Sequence, residues 1–167
     1  LYPDVQACYK DLKTNLEQYP ATRANFGFIH NDIHPKNILL SQSAMHLIDF
    51  DRSCRHFFVQ DIANAIYSEY SRIGFHSRNK ASLLDMREFF VKPFIRSYIA
   101  TYPTLTEDLI ALEQFISYRR IVMFAIFHDE VKAADPAYLE EFRQEIVQNT
   151  EFLPFSMDEL LSDINLL

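Results

Sequence analysis

The stretch from His30 to Asn37, His-Asn-Asp-Ile-His-Pro-Lys-Asn, constrains this chain more than any other. It is followed by the apolar run Ile38-Leu39-Leu40, the polar turn Ser41-Gln42-Ser43-Ala44, and a second apolar run, Met45 to Phe50, that carries Asp49 and leads to Asp51. Two short apolar runs separated by turn-forming residues predict a β-hairpin. Such a hairpin brings Asp32, Asn37 and Asp49 to one edge. Together they make a hard-oxygen site, because octahedral magnesium takes one or two such side chains and fills its other positions with water and substrate phosphates. Asn37 and Asp49 are therefore the candidate metal ligands, and Asp32 is left as the candidate base or orienter. Asp51 falls on the same side as Asp49 if the strand stays extended, where it is either a supporting carboxylate or the cap of the next turn.

The order of these parts matches a template for phosphoryl transfer, in which a loop Asp meets the acceptor hydroxyl and a later Asn and Asp hold the metal. His30-x-Asp32-x-x-x-x-Asn37, then a strand ending in Ile48-Asp49-Phe50-Asp51, then Asp61-Ile62-Ala63 opening a helix, resembles the small-molecule kinases of the aminoglycoside phosphotransferase and choline kinase type. His34, two residues after Asp32, is the form usual in that branch, where a protein kinase usually has Lys.

The resemblance implies an α+β, mostly α fold: a protein-kinase-like C-terminal lobe with a short β-hairpin at the catalytic site and a helical subdomain. It divides a single lobe, residues 1–167, into a catalytic core (1–75) and a helical subdomain (76–167). It implies ATP-dependent transfer of the γ-phosphate to a hydroxyl of a small molecule, with Asp32 catalytic and with Asn37 and Asp49 binding Mg2+ and nucleotide. His30 is expected to pack inward against backbone. Asp61 is expected to hold the backbone of the catalytic loop, and His34 either supports that loop or approaches phosphate. Candidate acceptor contacts on the helical subdomain are Arg119, Arg120, His128, Asp129 and Glu130.

Two positions depart from the commonest family spelling, His-Gly-Asp-Leu-His-Pro-Gly-Asn: Asn31 and Lys36 stand where glycines are frequent. Glycine accepts positive φ freely, asparagine is its mildest replacement, and lysine adopts that conformation only with strain.

The sequence has two glycines, Gly27 and Gly74, which leaves no Gly-rich loop to cradle nucleotide phosphates. The resemblance therefore covers the large lobe, with the N-terminal nucleotide lobe absent, and the isolated chain is expected to turn over weakly or not at all. The alternative is a shortened or degenerate kinase-like paralogue that serves as a binding or scaffolding module. A net charge of −7 argues against a nucleic-acid surface, which needs clustered Lys and Arg. Cys8 and Cys54 form no disulfide framework or metal motif, and free thiols fit a cytoplasmic setting. The longest apolar run, Ile121 to Phe127, is far short of the roughly 18 residues a membrane span needs.

Along the chain, apolar spacing predicts a helix over 4–19 ended by Pro20, and a second from Asp61 to Ile73. Arg52 to Phe58 reads as a loop, and Gly74 to Lys80 as a polar linker. A helix over 82–101 is expected to kink at Pro93. A capping box, Thr104-x-x-Glu107, opens a long helix running to about Lys132. Asp135-Pro136 starts another, and Ser156-x-x-Glu159 opens a last short one.

Overall fold

Pro3 supplies a preset φ at the start of α1 (Pro3–Glu17), and Pro20 stands just beyond its end, as the spacing predicts. The structure, a computed structural model, describes residues 2–73, 79–103, 107–149, 153 and 156–165. Strand β1 (Phe26–Ile29) leads into the His30–Asn37 loop, which closes with a 3₁₀ turn, Pro35–Asn37. Strands β2 (Ile38–Leu40) and β3 (Met45–Leu47) then form the expected hairpin, with Ile38 opposite Leu47 and Leu40 opposite Met45.

The second strand is shorter than its apolar run. It stops at Leu47 because Asp49 lies in the left-handed region, at φ 64. That turn breaks the alternation on which the expected placement of Asp51 depends, and Asp51 sits in a turn rather than two residues along a strand.

Residues read as a loop form a strand instead. β4 (Cys54–Phe57) pairs antiparallel with β1, with Gly27 opposite His56. Its partner lies far back in the sequence, so no local pattern announces it. Gly27 is required by a close approach, since a Cβ there would lie 2.8 Å from the Phe58 ring.

Helix α2 (Val59–Arg72) begins two residues before Asp61, which frees the Asp61 carboxylate to face the loop rather than cap its own helix. Next comes α3 (Lys80–Met86), opened by a capping box in which Asn79 Oδ1 accepts from the Ser82 amide at 3.0 Å and Ser82 Oγ accepts from the Asn79 amide at 3.0 Å. It starts two residues earlier than the apolar pattern suggests. A π-helical turn, Arg87–Val91, joins it to α4 (Lys92–Thr101). Pro93 stands two residues beyond the end of that turn, as the second residue of α4. Having no N–H and crowding the carbonyl four residues back, it is accommodated by the wider turn rather than by a simple kink.

Long helix α5 (Leu112–Ala134) follows a 3₁₀ turn at Glu107–Ala111; Thr104 of the expected capping box, and most of the Gly74–Lys80 linker, lie outside the described residues. In α6 (Pro136–Val147), Asp135 caps as expected, accepting from the Tyr138 amide at 3.0 Å. Ser156 and Glu159 form the reciprocal box that opens α7 (Met157–Asn165).

The main core lies between α2 and α5, where Ile62, Ile66, Leu112, Phe115 and Ile116 are shut off from water together with Val91, Ile95 and Leu160. Each such side chain contributes about 1.5–3 kcal/mol by leaving water. A second cluster joins α1, α5 and α6 through Val5, Ile121, Phe124, Leu139, Phe142 and Ile146. α5 belongs to both clusters, and it carries the charged residue that reaches the loop. Among the described residues no helix is long and apolar enough to cross a membrane.

Candidate active site

The His30–Asn37 loop is pinned from below. Asp61, on the first turn of α2, accepts from the backbone N–H of His30 at 2.9 Å and of Asn31 at 2.7 Å, the role expected of it. Burial pushes the Asp61 carboxyl above its ordinary value, and the two N–H donors pull against that shift. Asn31 takes the left-handed conformation at φ 63. Its side chain also does what glycine could not: it donates to the Arg52 carbonyl at 3.3 Å and accepts from Asn64 at 3.3 Å, and Asn64 in turn accepts from Gln60. Lys36 has no positive φ and is exposed in the 3₁₀ turn, so the strain expected there is absent.

His30 is buried at 4% exposure, and its ring joins loop to hairpin. The Asp32 N–H donates to Nδ1 at 3.3 Å, which makes Nε2 the protonated nitrogen, donating to the Ile48 carbonyl at 2.9 Å. The ring also lies 4.6 Å from Phe50. Asn37 completes the frame: its Nδ2 donates to the Asp32 carbonyl at 3.0 Å, and its own carbonyl accepts from the Ile48 N–H at 3.0 Å. Residues 30, 32, 37 and 48 are thereby locked into one hydrogen-bonded unit, with Asp49 adjoining Ile48.

Two oxygen donors remain open in this unit. The Asn37 amide oxygen and the exposed Asp49 carboxylate make no hydrogen bond or ion pair with the described residues. One carboxamide and one carboxylate on a shared frame suit a hard divalent cation that draws its other ligands from water and phosphate. Among the described residues no group of three or more His, Cys, Asp and Glu gathers at metal-binding distance.

The Asp32 carboxylate has asymmetric surroundings. Its Oδ1 accepts from Arg119 Nη2 at 2.9 Å, while Oδ2 lies 3.7 Å from both Arg52 Nε and His34 Nε2. At 3.7 Å neither is a hydrogen bond. The resemblance offers Arg119 as one of several acceptor contacts, whereas the structure engages it with Asp32 itself; Arg52 comes to the same carboxylate from a stretch that no motif marks. The sequence does carry a signal for Arg119, since Leu112, Phe115 or Ile116, and Arg119 fall on one helical stripe, and a cation on an apolar stripe calls for a buried partner. Arg120 belongs to the core, where burial lowers its pKa. His128 pairs with Asp129 and edges onto Tyr2 and Phe124.

Residues 1–106 match the model of the phosphotransferase enzyme family, APH. The chain belongs to this family. As a member it is also similar to the amicoumacin kinase of Bacillus subtilis (strain 168), at 22% identity over 155 residues covering 90% of this chain and 45% of that protein. Among solved structures it resembles the amicoumacin kinase hAmiN in complex with AMP-PNP, Ca2+ and Ami, with a TM-score of 0.77 and 23% identity over 94% of this chain and 48% of that one. The family member described here thus has the protein-kinase-like fold that its motifs imply, and it spans about half the length of these relatives.

Proposed function

We propose that the complete protein carrying this chain is an ATP-dependent phosphotransferase that moves the γ-phosphate of ATP to a hydroxyl of a small molecule. The observation that supports this reading is the hydrogen-bonded unit that ties the backbone of Asp32 to Asn37 and, through Asn37 and His30, to Ile48, the residue before Asp49. Family membership supports the reaction class, and the nucleotide analogue and divalent cation named with the solved relative support the ligands.

Asn37 and Asp49 would hold Mg2+, which neutralises charge on the phosphate oxygens when bound. Asp32 orients the acceptor hydroxyl and takes its proton as the acceptor oxygen bonds to the γ-phosphorus. The bond from that phosphorus to the β–γ bridging oxygen breaks, and ADP leaves with the electron pair. The loop frame contributes positioning, the largest demand in this chemistry. The hairpin face shared by Leu40 and its cross-strand partner Met45, both more than half exposed, is the surface on which the nucleotide base and the rest of the enzyme would rest. The free thiols Cys8 and Cys54 accord with a cytoplasmic protein.

The test is phosphate transfer by the complete reading frame against a panel of hydroxyl compounds, amicoumacin first. Asp32→Ala should cost about 10²–10⁴-fold in kcat, and Asp49→Ala should abolish the dependence of nucleotide binding on Mg2+. Full turnover by Asp32→Ala would remove Asp32 from this role.

A further inference from the structure

The ion pair between Asp32 and Arg119 joins the catalytic loop to the middle of α5, across 87 positions of sequence. The Arg119 side chain is 10% exposed and that of Asp32 17%. Taking both charges out of water is costly, and an apolar pair of the same volume would often hold the fold as well or better. Arg119 is not otherwise satisfied by the core: its Nε is buried with no acceptor among the described residues. A guanidinium kept in such a place, with one strong bond and that bond to a single carboxylate oxygen, is poorly explained as a strut.

Its effect on Asp32 is geometric. Carboxylate rotation about χ2 is soft and roughly two-fold, so a carboxylate without a fixed partner presents either oxygen over a broad arc. With Oδ1 bound at 2.9 Å the plane is set, and Oδ2 is the oxygen turned to the open side, flanked by His34 and Arg52 at 3.7 Å each. Arg52 is half exposed and His34 partly exposed.

We propose that Arg119 is a positioning residue: it holds Oδ1 of Asp32 so that Oδ2 is the oxygen that meets the acceptor hydroxyl. The inference rests on the phosphotransferase reading of Asp32 given above. Arg119 touches neither nucleotide nor acceptor in this arrangement and acts through Asp32. It also makes the helical subdomain part of the catalytic apparatus, since a shift of α5 would turn the carboxylate.

The test is a double-mutant cycle in the complete reading frame, with Arg119→Met, Arg119→Lys, Asp32→Asn and the Arg119→Met/Asp32→Asn pair. Steady-state kcat, KM for ATP and thermal midpoint are read for each. Arg119→Met should lower kcat about 100-fold with KM for ATP within about twofold of wild type, since misplacing a reacting group by an ångström costs that much. Arg119→Lys, which keeps the charge and loses the fork, should recover about a tenth of wild-type kcat and keep the wild-type thermal midpoint. In the Asp32→Asn background Arg119→Met should cost nothing further, because its target is already disabled. Should Arg119→Met fail to fold, the Arg119→Lys arm decides by the same kcat and KM split. An Arg119 variant within twofold of wild-type kcat, or losses that multiply across the cycle, would overturn the positioning role. Full activity in Asp32→Asn would instead remove Asp32 from the catalytic role on which the inference rests, and a wild-type protein that transfers no phosphate would overturn the phosphotransferase reading itself.

Discussion

Helix α2 and the β2–β3 hairpin are both rich in branched apolar residues, and the fold treats them oppositely. Nine of the 14 residues of α2 are buried, most of them against α5, whereas no residue of β2 or β3 is. The hairpin shows water Leu39, Leu40, Met45 and Leu47, with Ile48 and Phe50 beyond it. Its shape comes from hydrogen bonds instead: its own two-strand ladder, the Ser41–Ala44 turn, and the Ile48 N–H on the Asn37 carbonyl. Stability therefore resides in the helices and the proposed site at the hairpin's edge, with Asp61 and Arg119 as side chains by which the helices grip the loop. On the hairpin face shared by Ile38, Leu40, Met45 and Leu47, exposed apolar side chains held in place by hydrogen bonds mark a surface made to be covered.

If that division is right, the largest loss of stability follows from a change in the helical half. Phe115 is fully buried and meets Tyr19 at 6.1 Å and Phe57 at 5.6 Å between ring centroids. Phe115→Ala should cost about 3–5 kcal/mol, a large part of the stability of a chain this size. Urea denaturation followed by far-UV circular dichroism measures it, and a loss below 1 kcal/mol would dissolve the contrast. Next in size is the grip itself. Asp61→Ala removes the acceptor of two charge-assisted bonds and should cost about 2–3 kcal/mol. Hydrogen exchange should quicken at the His30 and Asn31 amides while amides inside α5 change only by the global loss; unchanged protection at those two positions would show that the loop is held by something else.

The contrast also separates what the sequence discloses from what it conceals. The loop spacing, the hairpin and the caps at Asp135 and Ser156 are readable because each rests on residues close together in the chain, whereas the inward His30 and the loop-binding Asp61, 31 positions on, are readable only through the family resemblance. β4 is hidden, since Cys54-Arg55-His56-Phe57 has little strand character and becomes a strand only when β1 is laid beside it. The length of β3 is concealed for a different reason. Ile48 and Phe50 continue an apolar run, yet Asp49 between them turns left-handed at φ 64, a local cost of about 1–2 kcal/mol that the surrounding hydrogen bonds sustain. The asymmetry at Asp32 lies deepest, because Arg119 and Asp32 meet only through the packing of α5. Helical phase puts Arg119 on the buried stripe but does not say which carboxylate it finds there.

At the exposed end of the comparison, a comparable truncation should barely register. Leu40 is 79% exposed, so Leu40→Ser should leave the urea midpoint within about 0.5 kcal/mol of wild type. It should also lower binding of an apolar dye such as ANS, because the patch it interrupts is the open one. A loss above 1 kcal/mol would mean that the hairpin contributes to the core after all, and the two halves would no longer be distinguishable by burial.

The smallest effect is expected at β4, which lies between the two regions and carries His56. The ring stacks on Tyr118 at 6.1 Å, and its Nδ1 is buried without a partner among the described residues. Burial makes the charged form unfavourable and holds the imidazole below its usual 6.5. The unfolded chain therefore takes up a proton at a higher pH than the folded one, and stability rises with pH between the two values. The contribution of His56 is complete above pH 6.5 and is lost as pH falls through the depressed folded value. Urea midpoints at pH 7.5 and 5.5 should accordingly differ more in wild type than in His56→Phe, whose ring keeps the aromatic stack without a titrating nitrogen. Equal differences in the two proteins would place the origin of any acid sensitivity outside β4 and leave the buried imidazole as packing alone.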